Sequence, residues 1–294
     1  MILSMTGFGR GTASAGGRKI CVDIKALNSK QLDLIVKVAG RYRTLEGELR
    51  NLTAAEGRRG KIEVVVGIEL TGQAATTALN VDLIRQYKAQ IEEMDRELGL
   101  PAPQDWHAVL LRLPDALKGE DEELGEQETG AFMEALREAL RAMTLFRKDE
   151  GEKLYAFFSE KIANIGALLK QVEPYEESRV AKIKCRLTEQ LEKLNGVDYD
   201  AGRLEQELIY YIEKLDISEE KQRLRAHLDY FVKTMDDESG DGDTKGKKLG
   251  FIAQEMGREI NTLGSKSNNA EMQIIVVKMK DELEQIKEQV LNVL

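Results

Sequence analysis

The stretch Arg18–Leu27, RKICVDIKAL, places Ile20, Val22, Ile24 and Ala26 on one side of an extended chain. A period of two is the mark of a strand with one buried face. It predicts a sheet near the front of the protein, and the flanking segments extend it. LDLIVKVAG (32–40) alternates through Leu34, Val36 and Val38. YRTLEGELRNLTAAEG (42–57) switches to helical spacing through Leu45, Leu49 and Leu52, and GKIEVVVGIEL (60–70) returns to a strand launched by Gly60. SAGG (14–17) reads as a hairpin turn. SMTGFGRG (4–11) is glycine-rich but has no lysine at Walker spacing, so it is not a P-loop and reads as a tight turn or a flexible contact segment. The order strand, strand, helix, strand predicts a small mixed domain over residues 1–75.

From Asn80 onward the pattern is helical, which makes the expected fold class α+β with long antiparallel helices. NVDLIRQYKAQIEEMDREL (80–98) stops at Gly99, close to Pro101 and Pro103. LPDALKGEDEELGEQETG (113–130) reads as an acidic linker. Helices are expected at 131–146, 151–171 and 174–193, the last two as a hairpin or stalk with Pro174 between them. Others are expected at 200–213 and 218–234. DDESGDGDTKG (236–246) is the clearest break, and helices at 247–264 and 269–292 follow it. The expected layout is a helical region over 80–235, with 247–294 packing against 200–235.

The chain has 294 residues, 42% of them apolar and only 5% aromatic, with four prolines. The core must therefore be aliphatic, and the low proline content suits helices. The net charge is −9, which opposes indiscriminate nucleic-acid binding by the whole surface. Residues 1–70 nevertheless hold twelve Lys and Arg against seven Asp and Glu, a local net of +5 that leaves −14 for the rest. Such a mixed field can hold a polyanion at one face. Cys21 and Cys185 fit no metal spacing and read as buried thiols. No apolar run approaches a membrane span, and the start MILSMTGFGRG has no secretory pattern. A cytoplasmic protein without membrane contact is the expectation.

Candidate chemistry gathers near the C-terminus. Glu255 and Glu259 are one helical turn apart, with Arg258 between them and Lys266 beyond. Two carboxylates on one face can share a cation. Spacing alone favours the plainer reading of a solvated face in which Arg258 pairs with one of them. His227 follows Glu220 by seven residues and Arg223 by four, so all three can share a helix face. It can ligate a metal or exchange a proton near neutral pH. Glu207 joins them only if its helix folds against the others. At the front, Asn28, Lys30, Arg58, Arg59 and Lys61 form a basic and polar set suited to phosphate contact, or a charged sheet edge.

Together these segments resemble the YicC-like endoribonuclease family. The likeness rests on SMTGFGR (4–10), LNSKQLDL (27–34), RRGKIEV (58–64), RLEQELIYYIEKLDISEEKQRLRAHLDYF (203–231) and GKKLGFIAQEMGREINTLGSKS (246–267), in that order. It implies an RNase that cuts internally with a divalent metal ion, manganese before magnesium. It also implies assembly as a homo-oligomer, a hexamer, around RNA. Carried onto this chain, it marks Glu207, Asp216, Glu219, Glu220, Arg223 and His227 in the first long motif. In the second it marks Gln254, Glu255, Arg258, Glu259, Asn261, Thr262, Ser265 and Lys266. Glu255, Glu259, His227 and Glu207 are the expected metal ligands. His227, Glu255, Glu259, Glu220, Arg258 and Arg223 are the expected catalytic set, and Asn28, Lys30, Arg58, Arg59, Lys61 and Lys266 the expected RNA contacts. Lys247, Gly250 and Gly257 depart from the family pattern, which has Arg, Asp and Asn there, and Leu3 stands where a basic residue is usual. An oligomeric RNA-binding adaptor without cleavage is the alternative reading.

Overall fold

The computed structural model describes residues 2–70, 79–116, 124–193, 201–237 and 242–294. Strands β1 (Gly7–Ala15), β2 (Arg18–Leu27), β3 (Asp33–Lys37) and β4 (Lys61–Leu70) form one sheet in the order β1-β2-β4-β3. β1 and β2 are an antiparallel hairpin whose turn, Gly16–Gly17, has left-handed backbone at both residues. This is the geometry that matches strand twist, and glycine adopts it without a β-carbon clash. β4 is antiparallel to β2 and parallel to β3. The crossover from β3 to β4 is a 3₁₀ turn (Gly40–Leu45) followed by α1 (Glu46–Gly57). The alternation read in the sequence is the one observed: Ile20, Val22, Ile24, Ile62, Val64 and Val66 all face inward.

β1 is the element the sequence reading missed. GFGRG was read as a turn, but it is the first half of a nine-residue strand. Its glycines lie on the inward face, against helix α4 (Glu126–Glu192). A β-carbon at Gly9 would sit 2.0 Å from the carbonyl oxygen of Ala139, and one at Gly11 2.0 Å from that of Ala135. At Gly7 it would meet Met143 at 3.0 Å. Two strand residues advance about 6.8 Å and four helix residues about 6 Å. From Gly7 to Gly11 every second residue of β1, each a glycine, therefore meets every fourth residue of α4. Glycine disfavours strands in isolation, but here its missing side chain is what lets strand and helix backbones touch.

α4 is one helix of 67 residues, which corrects the expectation of three helices and of a hairpin at 151–193. Pro174 lies inside it. Proline removes one backbone hydrogen bond, and its exposed position leaves the freed carbonyl facing water. The first half of α4 covers the sheet through Phe132, Leu136, Ala139 and Met143. The next part, through Phe158, Ile162, Ile165 and Leu169, packs in a second core. That core is completed by α6 (Ser218–Asp236), α7 (Gly242–Lys266) and α8 (Ala270–Val290). α2 (Val81–Leu98) begins at the Asn80 cap and ends at left-handed Gly99, as the sequence predicts. α3 (Trp106–Leu110) follows it, with His107 exposed. α5 (Ala201–Leu215) precedes α6. The fold is α+β. Of the acidic linker expected at 113–130, residues 126–130 begin α4, and of the break expected at 236–246, residues 242–246 begin α7; residues 117–123 and 238–241 lie outside the described residues. Cys21 is half-buried and Cys185 is exposed, so neither is the buried thiol expected, and neither is in a disulfide.

Two devices tie the halves together. Residues 3–5 pair with 292–294: Met5 N–H donates to the Asn292 carbonyl at 2.8 Å and Leu294 N–H to that of Leu3 at 2.9 Å. This ribbon lies on α4 and α7 where Gly151 and Gly246 allow its backbone to approach. The second device is a buried charge cluster. Glu128, in the first turn of α4, accepts two hydrogen bonds from Arg41 at 2.9 Å and one from the Tyr42 hydroxyl at 2.7 Å, with Arg18 at 3.7 Å. Arg41, and after it the Tyr42 bond, hold the Glu128 carboxyl below the ordinary carboxylate range, while burial and Glu128 push the Tyr42 hydroxyl up.

Gly9→Ala and Gly11→Ala should each lower unfolding free energy by at least about 2 kcal/mol. Gly40→Ala, whose β-carbon would meet nothing within 4 Å, should change it by less than about 0.5 kcal/mol. Denaturant titration with a common slope reads both. Glu128→Gln should cost about 3 kcal/mol at neutral pH, because it strands buried guanidinium charge. The folded carboxyl titrates below its unfolded value, so this stabilisation is complete above the unfolded pKa and is lost as pH falls through the folded one. The gap between wild type and variant should therefore close in acid. A gap that holds constant down to the acid transition would refute the assignment.

Candidate active site

α6 and α7 run antiparallel, and their ends fix the register. At one end Lys266 Nζ donates to Glu220 Oε1 at 2.8 Å and to the Asp216 carbonyl at 2.9 Å. At the other, Lys245 is buried and caps α6 through the carbonyls of Met235 and Asp237. Seven residues are close to two helical turns. Counting two turns inward from the Lys266–Glu220 contact places His227 on α6 level with Glu259 on α7, along the same faces. Glu255 is one turn further. His227, Glu255 and Glu259 are each half-buried, so the seam between the helices is open to solvent along one side.

Both arginines on this seam are ion-paired. Arg258 pairs with Glu255 at 2.7 Å and Arg223 with Glu219. Glu220 is 6% exposed, and its Oε2 has no hydrogen-bond partner among the described residues. Asp216 accepts from the Ser218 hydroxyl at 2.7 Å and from its N–H at 3.0 Å, bonds that hold its carboxyl below the usual range and fasten the start of α6. Thr262 and Ser265 bond back to the carbonyls of Arg258 and Thr262. Asn269 caps α8, and Gln273 ties the α7–α8 turn through the carbonyls of Gly264 and Ser267.

The other expected residues fall elsewhere. Glu207 is exposed on α5, and among the described residues that helix has no extended packing with α6 or α7. The structure thus brings His227, Glu220, Glu255 and Glu259 to one seam, and not Glu207. Asn28 braces the molecule, donating to the Leu291 carbonyl at 2.7 Å. Arg59 holds the Ser29 carbonyl at 3.1 Å. Lys30, Arg58 and Lys61 are exposed. Arg58 adopts a left-handed φ at the end of α1 and lies near Arg147, a residue the sequence reading did not single out. Arg147 is buried and donates to the carbonyls of Gly57 and Met5. Burial, then the Arg58 charge, pushes its pKa down. Nothing in the local sequence distinguishes it from its exposed neighbours on α4.

Gly250 and Gly257, two of the departures from the family pattern, face α8 along with Gly264. Placed β-carbons would meet Val290 at 3.6 Å, Leu283 at 3.3 Å and Val276 at 3.0 Å, respectively. They belong to a packing track with one glycine every two turns.

Among the described residues no three His, Cys, Asp or Glu side chains converge as a ready-made metal cage. The donor set fits a weaker arrangement. Small divalent ions are commonly held by one or two carboxylates, with water and substrate phosphate oxygens completing the shell. Glu255 and Glu259, with His227 opposite, can offer that much.

Stability measurements should separate brace from site. Lys266→Met should cost about 2 kcal/mol, because it leaves the Glu220 carboxylate buried without its counter-charge. Arg258→Ala breaks only an exposed pair and should cost under about 0.5 kcal/mol. Equal losses in thermal unfolding would contradict this division.

Residues 2–156 match the family model described as the endoribonuclease YicC-like N-terminal region, and residues 172–294 that described as endoribonuclease YicC-like, C-terminal. The first match ends and the second begins within α4, at residues 156 and 172. The chain is 30% identical over 302 aligned residues to a protein of Clostridioides difficile (strain 630) named "Probable endoribonuclease YicC", with 100% of both chains covered. It is 29% identical over 293 residues to a protein of the same name from Haemophilus influenzae, with 99% of each covered. With both halves matched and the relatives aligned end to end, this chain belongs to the YicC-like endoribonuclease family.

Proposed function

We propose that the protein is an endoribonuclease that cuts RNA internally with the help of a divalent metal ion, manganese or magnesium. The observation that carries the reading is the α6–α7 seam, where helix spacing sets His227 level with Glu259 and one turn from Glu255, in a family whose relatives bear an endoribonuclease name. Glu255 and Glu259, with His227, would hold the ion. When bound, it would supply charge to the phosphoryl group and a more acidic water.

The chain's own residues account for the remaining roles. Half-buried His227 takes a proton, from water for hydrolysis or from the ribose 2′-OH for internal attack. Arg258 and Arg223 are ion-paired at rest. An RNA phosphate competes with Glu255 and Glu219 for them, and they then bear the charge that builds on the phosphate. Lys266 acts mainly as a brace that sets the height of α6 against α7. Lys30, Arg58 and Lys61 present exposed charge for the backbone of a longer RNA. Repetition of these contacts in a homo-oligomer, a hexamer on the family likeness, would strengthen the hold on one RNA. No helix among the described residues is long and apolar enough to cross a membrane.

End-labelled structured and unstructured RNAs incubated with Mn²⁺ should be cut internally. The cuts should vanish in EDTA and fall at least about 100-fold in Glu255→Ala/Glu259→Ala and in His227→Ala. Ends bearing 5′-phosphate would indicate hydrolysis, and cyclic phosphate would indicate 2′-OH attack. Intact RNA across the panel, with the variants indistinguishable from wild type, would sink the reading. The exposed basic residues of the N-terminal domain, Lys30, Arg58 and Lys61, favour one rival, an RNA-binding adaptor. That rival requires tight RNA binding that EDTA leaves unchanged and no turnover.

A further inference from the structure

The α6–α7 hairpin exposes two aromatic rings that the chemistry above does not use. Phe251 is 69% exposed although it lies within an amphipathic helix between buried Leu249 and Ile252. Tyr230 is 46% exposed, and Lys248 Nζ lies 5.1 Å from the centre of its ring. Phe251 is three residues along α7 from Lys248 and four before Glu255, about 4.5 Å and about 6 Å along the axis. A concavity of about 390 Å³ opens beside Tyr230, lined also by Lys233, Thr234, Asp236, Asp237 and Lys248. Asp236 accepts from the Tyr155 hydroxyl at 2.9 Å. Lys233 and Lys247 are exposed, and no carboxylate pairs with them or with Lys248 among the described residues.

We propose that Tyr230 and Phe251 form a stacking platform for unpaired bases of single-stranded RNA, with Lys233, Lys247 and Lys248 holding the intervening phosphates. This deepens the ribonuclease reading and rests on it. Every base has a π-face, so stacking is sequence-tolerant, and aromatic rings interleaved with cations are the usual means of gripping a single strand. A ring buried in the core would serve packing alone, but exposing Phe251 leaves a large apolar area in water. The cations select the occupant. An apolar protein partner would gain nothing from three unpaired lysines around the rings, whereas a phosphate backbone would. The platform is also continuous with the seam. A base on Phe251 puts the next phosphate about one turn along α7, at the level of Glu255. A base in a duplex has no free face to offer, so the platform sets a preference for unpaired regions.

The test is equilibrium binding of a short oligoadenylate, an abasic oligomer of the same length, and a duplex, in the Glu255→Ala/Glu259→Ala background. The base-bearing single strand should bind about tenfold or more tighter than the abasic one. Phe251→Ala and Tyr230→Ala should each erase most of that difference, and Phe251→Tyr should restore it. Lys247→Gln/Lys248→Gln should weaken both oligomers alike and flatten the salt dependence. Equal affinity for base-bearing and abasic strands would overturn the platform. So would Phe251→Ala losing RNA only as it loses assembly mass by light scattering, which would make this face a contact between copies. Whether wild type cuts RNA is read on a separate gel, and that result does not alter the comparison of bases with abasic sugar.

Discussion

Strand β1 lies directly on the backbone of α4 at Gly9 and Gly11, and on its Met143 side chain at Gly7. Close packing of this kind fixes two things at once. It sets the distance of the sheet from the helix, and it sets the position of the sheet along the helix, because carbonyl oxygens of α4 occupy the notches that side chains would fill. Everything downstream inherits that placement. The Glu128 cluster forms at one end of the contact and buried Arg147 at the other. Beyond Arg147 the same helix becomes one wall of the second core, so the sheet and the α6–α7–α8 bundle share a single rigid element.

The site follows from a different kind of constraint. His227 and Glu259 come from helices whose relative height is set by charged and polar contacts at the two ends of a hairpin, Lys266 on Glu220 and Lys245 on the last carbonyls of α6. Between these ends the packing is aliphatic and fixes separation more than height. The result is a seam in which carboxylates, an imidazole and ion-paired guanidinium groups sit at half-exposed or exposed positions, where the arginines can leave their resting partners without breaking the core. An open seam of this kind suits a polymeric substrate better than a closed pocket would.

Much of this was legible in the sequence. Alternation through Ile20–Ala26 and Ile62–Val66 has one physical meaning, a half-buried strand, and the α2 boundaries follow from Asn80 and Gly99. The glycines of β1 misled because the same residue serves a turn and a close approach, and only the helix that arrives some 120 residues later tells them apart. Pro174 looked like a boundary because the cost of a lost hydrogen bond is visible locally, while the tertiary support of the helix around it is not. Within α6, the shared face of Glu220 and His227 was readable from spacing. The pairing of Glu220 across to Lys266 on α7 was not, because it depends on a contact between residues 46 apart. Asn28 carried a polar signature suited to phosphate, and the brace to Leu291 that actually occupies it spans 263 residues.

The glycine track of α7 has a consequence for how such a site can change. Gly250, Gly257 and Gly264 let α7 lie close to α8, and the seam is on another side of the same helix. Bulk added at Gly264, where a β-carbon would already lie 3.0 Å from Val276, pushes α7 away from α8, whereas Gly250 has room for a β-carbon. Glu255, Glu259, Arg258 and Phe251 are carried on that one rigid cylinder, so they would swing together relative to α6, with their mutual geometry intact. Members of the family that carry larger residues on this track can therefore differ in how widely the seam opens while keeping the same reactive groups, a form of adjustment made from behind the site.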